Sequence, residues 1–422
     1  MTARIAFAGM SHLGINHLAA AADRGYAVLG FDLDASRIQD LRNGFPVVAE
    51  PGLQDILARC APRIEFSSEP SALSPCDLVY ISLDVPTDAE GRSRYDALQG
   101  LIAIAGEHIP PAVPLIVLSQ VPPGFMRTIA RPASALYYQV ETLIFGRAVE
   151  RALHPERFII GCGNPDSPLP GGLREYLASF GCPVLCMCYE SAELAKIAIN
   201  MFLVSTVATT NMLAETCEAI GARWSEIAPA LRLDRRIGEY AYLSPGLGIS
   251  GGNLERDIAT LRSMASAHGV DDGVVRAWQA GSRHHRDWVL RHLRTHLSPG
   301  ATIAIWGLTY KADTDSVKNS PALELIRGLR GWRLRAYDPA ARYAAEPGID
   351  LERVDDPLDA CDGADALAIM TPWDAFGRAE PAAIASRLAG NLVVDPFGVL
   401  AADHCRRAGI RHFVIGESAP RP

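Results

Sequence analysis

The sequence predicts an α/β protein of two doubly wound parallel-sheet domains joined by a long central helix. Three observations predict it. The N-terminus reads strand, glycine turn, helix, strand; about thirty positions from residue 191 keep helical spacing with neither proline nor glycine; and a second strand–helix alternation starts near residue 296. Short apolar runs separated by helical stretches are the pattern of a parallel sheet covered on both faces. At 422 residues the chain exceeds what one core organises, and segments of 1–190, 191–295 and 296–422 are expected.

The elements follow in order. RIAFAG is a short apolar strand, GMSHLG a tight turn, INHLAAAADRG a helix closed by glycine, and YAVLGFDLD a second strand that ends in acid. DLVYISL, PLIVLS, RFIIGCG and PVLCMCY read as further strands, alternating with helical stretches to about residue 190. From 191 to about 231 the apolar residues recur at helical spacing on more than one side, giving one long helix or two nearly continuous ones. A helix of this kind usually links domains and packs on a partner subunit, so a homodimer is expected. After the loop PGLGISGGNLERD and the helical stretch RDWVLRHLRTHL, SPGATIAIWGLTYK opens the second α/β unit, whose strands include LRAYDPA, ADALAIMTPW and NLVVDPFG. Ligands in open α/β folds sit at the carboxyl ends of such sheets.

Composition narrows the partners. With 49% hydrophobic and 21% charged residues the chain reads as an ordinary globular protein. A net charge of -8 and the lack of a clustered basic stretch argue against nucleic acid or an anionic membrane as partner. The N-terminus enters a strand pattern without a basic leader, so neither a signal peptide nor a membrane span is expected and the location is read as cytoplasmic. Of the nine cysteines only Cys182, Cys186 and Cys188 cluster; no fourth ligand follows at zinc-like spacing, so a buried strand and no metal are expected.

The glycine turn points to a dinucleotide. Gly9 permits the turn and Gly14 lets helix approach strand, while Ser11 stands where the middle glycine of a Rossmann-like fingerprint normally allows close approach to the pyrophosphate. Asp32 closes the next strand at the position where a carboxylate holds the ribose hydroxyls and repels a 2′-phosphate. The expected cofactor is therefore NAD, with Gly9, Ser11, Gly14, Asp32 and Arg37 as its binding residues.

Seven segments in register, AEPGLQDIL, SQVPPG, AELAKIAIN, RLDRRIG, PGLGISGGNLERD, GLTYKADTDSVKNSPA and ADALAIMTPW, give the chain a resemblance to the UDP-glucose/GDP-mannose dehydrogenase family. The resemblance implies an NAD domain, a central helix with its dimerisation region, and a nucleotide-sugar domain. It also implies a reaction in which a sugar alcohol is oxidised to an acid in two hydride transfers, the second through a cysteine that traps the aldehyde. This chain departs from that pattern. Asn253 holds the cysteine's position and Arg256 that of the lysine near it; Phe145 replaces the second of two glutamates, of which Glu141 remains; and Gln120 replaces a threonine.

The residues of the first hydride step are present. Lys196 and Asn200 lie four apart on one helix face, and Asp257 completes their hydrogen-bond set. The resemblance further assigns Gly246, Gly248, Gly251, Arg236 and Lys318 to substrate and Lys311 to cofactor or diphosphate, with Lys318 and Phe397 standing where arginines are usual. The sequence therefore reads as an NAD-dependent oxidoreductase on a nucleotide sugar, limited to two-electron oxidation or redox-neutral epimerisation. The alternatives are a non-catalytic binding protein and a conventional four-electron dehydrogenase with another cysteine moved into place, against which Cys162 and Cys217 are expected in segments away from the loop.

Overall fold

The computed structural model describes residues 3–46, 48, 50–88, 92–250, 252–341 and 346–418. The chain forms two compact units, Met1–Ile199 and Asn200–Pro422. Both are parallel-sheet α/β domains, and the division falls within the long helix that joins them.

In the first unit β1 (Arg4–Ala8), α1 (His12–Asp23) and β2 (Ala27–Phe31) form the expected opening unit. Next come α2 (Ala35–Arg42), α3 (Leu53–Cys60), β3 (Ile64–Ser67), β4 (Leu78–Ile81), α4 (Asp96–His108) and β5 (Leu115–Val117). The unit closes with β6 (Leu136–Gln139), α5 (Ala148–Leu153), β7 (Phe158–Cys162), α6 (Gly171–Ala178) and β8 (Val184–Cys188). The sheet order is β3-β2-β1-β4-β5-β6-β7-β8. The chain order reverses about β1 and β4, which is the switch point where ligands enter such sheets. Alanines 19 to 22 of α1 are buried, and their small side chains let the helix lie close on the sheet.

Two expectations are corrected. The sheet is not wholly parallel, because β6 and β7 pair antiparallel. The cysteine-bearing strand is also not buried: β8 is the edge of the sheet, with Leu185 and Cys186 exposed and Cys182 and Cys188 partly so. An edge strand has one unpaired side, and hydrophobicity alone does not distinguish it from a central one.

α7 (Tyr189–Ile220) is followed by α8 (Trp224–Leu233), so the long helical region is two helices. By length and composition α7 is able to cross a membrane. Its polar side chains nevertheless find partners in the protein: Thr210 donates to the Tyr242 carbonyl at 3.1 Å and Asn211 accepts from the Gly246 amide at 2.8 Å. In the second unit α9 (Asn253–His268), α10 (Gly273–Arg286) and α11 (Trp288–His296) precede the second sheet. That sheet contains β9 (Thr302–Trp306), β10 (Arg333–Tyr337), β11 (Asp350–Arg353), β12 (Ala366–Ile369), β13 (Leu392–Val394) and β14 (Arg411–Phe413). It is parallel throughout, in the order β11-β10-β9-β12-β13-β14.

Candidate active site

The glycine turn after β1 is shaped for close backbone approach. Gly9 has φ +100°, and a Cβ there would lie 2.8 Å from the Leu83 amide nitrogen. At Gly14 a Cβ would meet the Gly9 carbonyl oxygen at 1.9 Å, so both positions exclude a side chain. Ser11 caps the turn differently from a glycine: its hydroxyl donates to the Ser82 carbonyl at 3.2 Å and accepts from the Asp84 amide at 2.9 Å. Asp32 is 7% exposed. Its carboxylate accepts from the Met10 amide at 2.8 Å and the Asp34 amide at 3.0 Å, and Arg37 pairs with it at 2.9 Å. A turn that a Cβ would fill, the start of a helix and an acid beside the turn fit a dinucleotide, although the Leu13 amide in the first turn of α1 donates to Asp84 Oδ2 at 3.3 Å.

Two further groups lie in the first unit. Lys196 on α7 has its ammonium 3.8 Å from a Glu141 carboxylate oxygen, with both side chains largely buried. Phe145 lies face to face on the His12 ring at a centroid distance of 4.0 Å. Sequence reasoning missed three residues here. Glu193, fully buried one turn before Lys196, accepts from the Gly124 amide at 2.7 Å and the Met126 amide at 2.8 Å. Burial raises its carboxyl pKa above the usual range, although the two amides oppose the shift. His12 and Glu50 form a buried pair at 2.7 Å. A charged residue inside an apolar helical run was the available signal for Glu193; nothing local signalled that His12 pairs with Glu50.

In the second unit Asn200, at the start of this unit on α7, donates to Asp257 at 2.5 Å. Asp257 is 1% exposed and also meets the Arg256 guanidinium at 3.3 Å. Of the expected set the structure brings Asn200 and Asp257 together, with Arg256 beside them, while the Lys196 ammonium lies by Glu141. The loop before α9 holds Gly246, whose amide donates to Asn211, and Gly248, whose φ is +74°. A Cβ on Gly248 would sit 2.5 Å from the Ser282 carbonyl oxygen. Gly251 lies outside the described residues. Asn253 is the first residue of α9 and is exposed. The exposed Lys318 runs beside Gly252, its ammonium 3.7 Å from where a Cβ would stand.

The remaining candidates are more peripheral. Arg236 is exposed and pairs with its neighbour Asp234 at 2.6 Å. Lys311 follows β9 in the second unit, with its ammonium 5.9 Å from the Tyr310 ring. Beside it, unanticipated from sequence, the Asp338 carboxylate after β10 accepts from the Leu308 and Thr309 amides at 2.6 and 3.1 Å. Gly307 there has φ +92°, so the second sheet repeats the turn-and-acid arrangement of the first.

Comparison with known proteins decides the family. Residues 3–169 match the NAD binding domain of the UDP-glucose/GDP-mannose dehydrogenase family, residues 190–282 its central domain and residues 304–402 its UDP binding domain. The chain belongs to this family. It is 28% identical to the UDP-glucose 6-dehydrogenase TuaD of Bacillus subtilis (strain 168) over 99% of this chain and 94% of that protein. It is likewise 28% identical to the UDP-glucose 6-dehydrogenase of Rickettsia bellii (strain RML369-C) over 98% of this chain and 99% of that one. A UDP-glucose dehydrogenase from the archaeon Pyrobaculum islandicum superposes with a TM-score of 0.85 at 25% identity, covering 99% of this chain and 98% of the other. As a member of the UDP-glucose/GDP-mannose dehydrogenase family the chain is a nucleotide-sugar oxidoreductase, and its cofactor is NAD. The cofactor-shaped turn lies within the matched NAD domain, and the Asp338 turn within the matched UDP domain.

Proposed function

We propose that this chain oxidises a hydroxyl of a nucleotide sugar in one two-electron step, or oxidises and re-reduces it as a redox-neutral epimerisation, and makes no sugar acid. The observation that carries this reading is Asn253 at the head of α9, where the family resemblance expects the trapping cysteine. An amide nitrogen is not a nucleophile, and without a covalent adduct the aldehyde has no second hydride to give. Replacement thiols are poorly suited. No cysteine occurs between Cys217 and Cys361. Cys162 and Cys217 are buried, and burial pushes both thiols up, away from the reactive thiolate. Phe145 leaves no carboxylate at the position that would activate a hydrolytic water.

Bound NAD supplies the hydride acceptor. In this reading the residues 1–190 hold the dinucleotide through Gly9, Ser11, Gly14, Asp32 and Arg37, and Lys311 is a further candidate for a diphosphate. Lys196 and Asn200, one helical turn apart, hold the reacting oxygen, and the hydroxyl proton passes by way of Lys196 to Glu141. Asp257 fixes the Asn200 amide so that its remaining donor is directed rather than free to rotate. Gly246, Gly248 and Gly251 bind the nucleotide sugar by backbone, and Lys318 and Arg236 pair with its phosphates. Residues 191–295 also form a homodimer, supported by the exposed apolar side chains of Phe202, Met212, Leu233 and Tyr240, while 296–422 bind the nucleotide; the enzyme acts in the cytoplasm.

The test is incubation with NAD and a panel of UDP-, GDP- and dTDP-sugars, counting NADH and identifying products by mass spectrometry. At most one NADH per sugar and no uronate are expected, with none if the hydride returns. Lys196→Ala is expected to lose about a hundredfold or more in rate. Two NADH per sugar with a uronate product would refute the reading. No turnover of any sugar, with NAD still bound, would favour a binding protein.

A further inference from the structure

The connection between β6 and α5 carries Glu141, and it is tied at its far end to a residue remote in sequence. The Gly146 amide donates to Glu50 Oε1 at 2.9 Å and the Ala148 amide to Glu50 Oε2 at 3.2 Å. The same Oε1 takes His12 Nε2 at 2.7 Å, and the His12 ring bears the Phe145 ring on its face. Glu50 is 9% exposed and His12 8%. His12 is the first residue of α1, next to the Ser11 cap and within the turn shaped for the pyrophosphate. Capping the start of α5 needs only Glu50 and the two amides. The imidazole adds nothing to that cap, yet its edge is committed to Glu50 and its face to Phe145.

We propose that His12 and Glu50 are positioning residues for Glu141: they link occupancy of the dinucleotide turn to the order of residues 140–148, and so hold Glu141 at Lys196. When a dinucleotide occupies the turn between β1 and α1, the turn that carries His12 loses freedom. The short bond to Glu50 and the ring contact then pass that restriction to the loop. That Glu141 and Lys196 act in the reaction rests on the function proposed above, whereas the linkage itself does not.

Hydrogen exchange of the peptide spanning residues 140–153, with and without saturating NAD, tests the linkage in the full-length protein. In the wild type NAD should slow exchange there by about fivefold or more, the lower end of usual coupling between sites. His12→Phe keeps a ring against Phe145 but loses the bond to Glu50, and it should bind NAD yet lose this protection. His12→Gln, whose amide still reaches a carboxylate, should restore most of it, which a merely space-filling role would not explain. Should His12→Phe fold poorly, Glu50→Gln gives the second reading and should also weaken protection. Equal protection in wild type, His12→Phe and Glu50→Gln, or none in the wild type, would overturn the proposal. Lys196→Ala separates the two claims: it should keep the NAD-linked protection while losing turnover, and unchanged turnover would sink the reaction reading alone.

Discussion

Replacing Glu193 gives a sharp test of how α7 is seated in the first unit. The carboxylate is fully buried and takes the Gly124 and Met126 amides at 2.7 and 2.8 Å. In Glu193→Ala both donors lose their acceptor. The buried Met126 amide should cost about 1–3 kcal/mol, the half-buried Gly124 amide less, and the vacated volume adds to both. The sum is about 2–5 kcal/mol. Glu193→Gln keeps one acceptor oxygen but turns an NH2 toward the other amide. It also sheds part of the desolvation that pushes this carboxyl above its usual range, so its cost should be about 1–3 kcal/mol. The assay is urea unfolding with and without NAD. The ligand shifts the transition of the unit that binds it, which identifies the first unit's transition in a chain of two units. An alanine variant within about 0.5 kcal/mol of wild type in that transition would refute the reasoning.

Asp32→Asn should raise affinity for NADP relative to NAD by about tenfold, because it removes a negative charge, releases Arg37 toward a 2′-phosphate and keeps an acceptor for the Met10 amide; calorimetry with both dinucleotides checks it. Stability should also peak near neutral pH. Burial, with help from His12, pushes His17 down from 6.5 to about 4, and burial with His296 and Arg291 does the same for His292. As pH falls from 6.5 through 4 the unfolded chain takes up protons there that the native chain refuses, so that stability is lost. His412 behaves oppositely: burial disfavours its charge, but the Asp395 carboxylate at 3.1 Å and Cys405 outweigh burial and raise it to about 9. Its contribution is complete below pH 6.5 and lost as pH rises through 9, so urea midpoints should be lower at both extremes than at pH 6.5; a midpoint still climbing toward pH 9 would contradict the His412 assignment.

What the sequence disclosed follows the range of the interactions. The opening strand–turn–helix–strand unit was legible because its determinants are local: Gly9, Gly14 and Asp32 sit within one supersecondary unit. The Lys196–Asn200 spacing was legible because a helix fixes it. The antiparallel β6–β7 pair was not, since strand direction depends on how the intervening connection returns rather than on either strand's composition. The edge position of β8 escaped for a similar reason, because its apolar residues are as consistent with a central strand. The Glu50 contacts with His12 and with the residue 146–148 amides join segments far apart in the chain, and no periodicity encodes such a meeting. The second turn-and-acid pair at Gly307 and Asp338 repeats the first, so the acid ending LRAYD carries the same local signal as Asp32.

The loop before α9 is held more firmly than a vestige would require. Ile249 donates to Ser282 Oγ at 2.8 Å and its carbonyl accepts from Arg286. Arg286 in turn pairs with Glu255 at 2.9 Å and Glu324 at 2.6 Å, and Glu255 also accepts from Asn319. Arg286 is largely buried, and its two terminal nitrogens are taken by Glu324, Glu255 and the Ile249 carbonyl, so this network fixes the loop's backbone at both polar groups of Ile249. None of these contacts uses the side chain at position 253. A backbone fixed in this way keeps its amides in place for a bound ligand whatever stands at the head of the helix, whereas a trapping nucleophile acts only through that side chain. On the function proposed above, the architecture of the loop separates binding through the backbone from covalent trapping through the side chain at position 253, which in this chain is an asparagine.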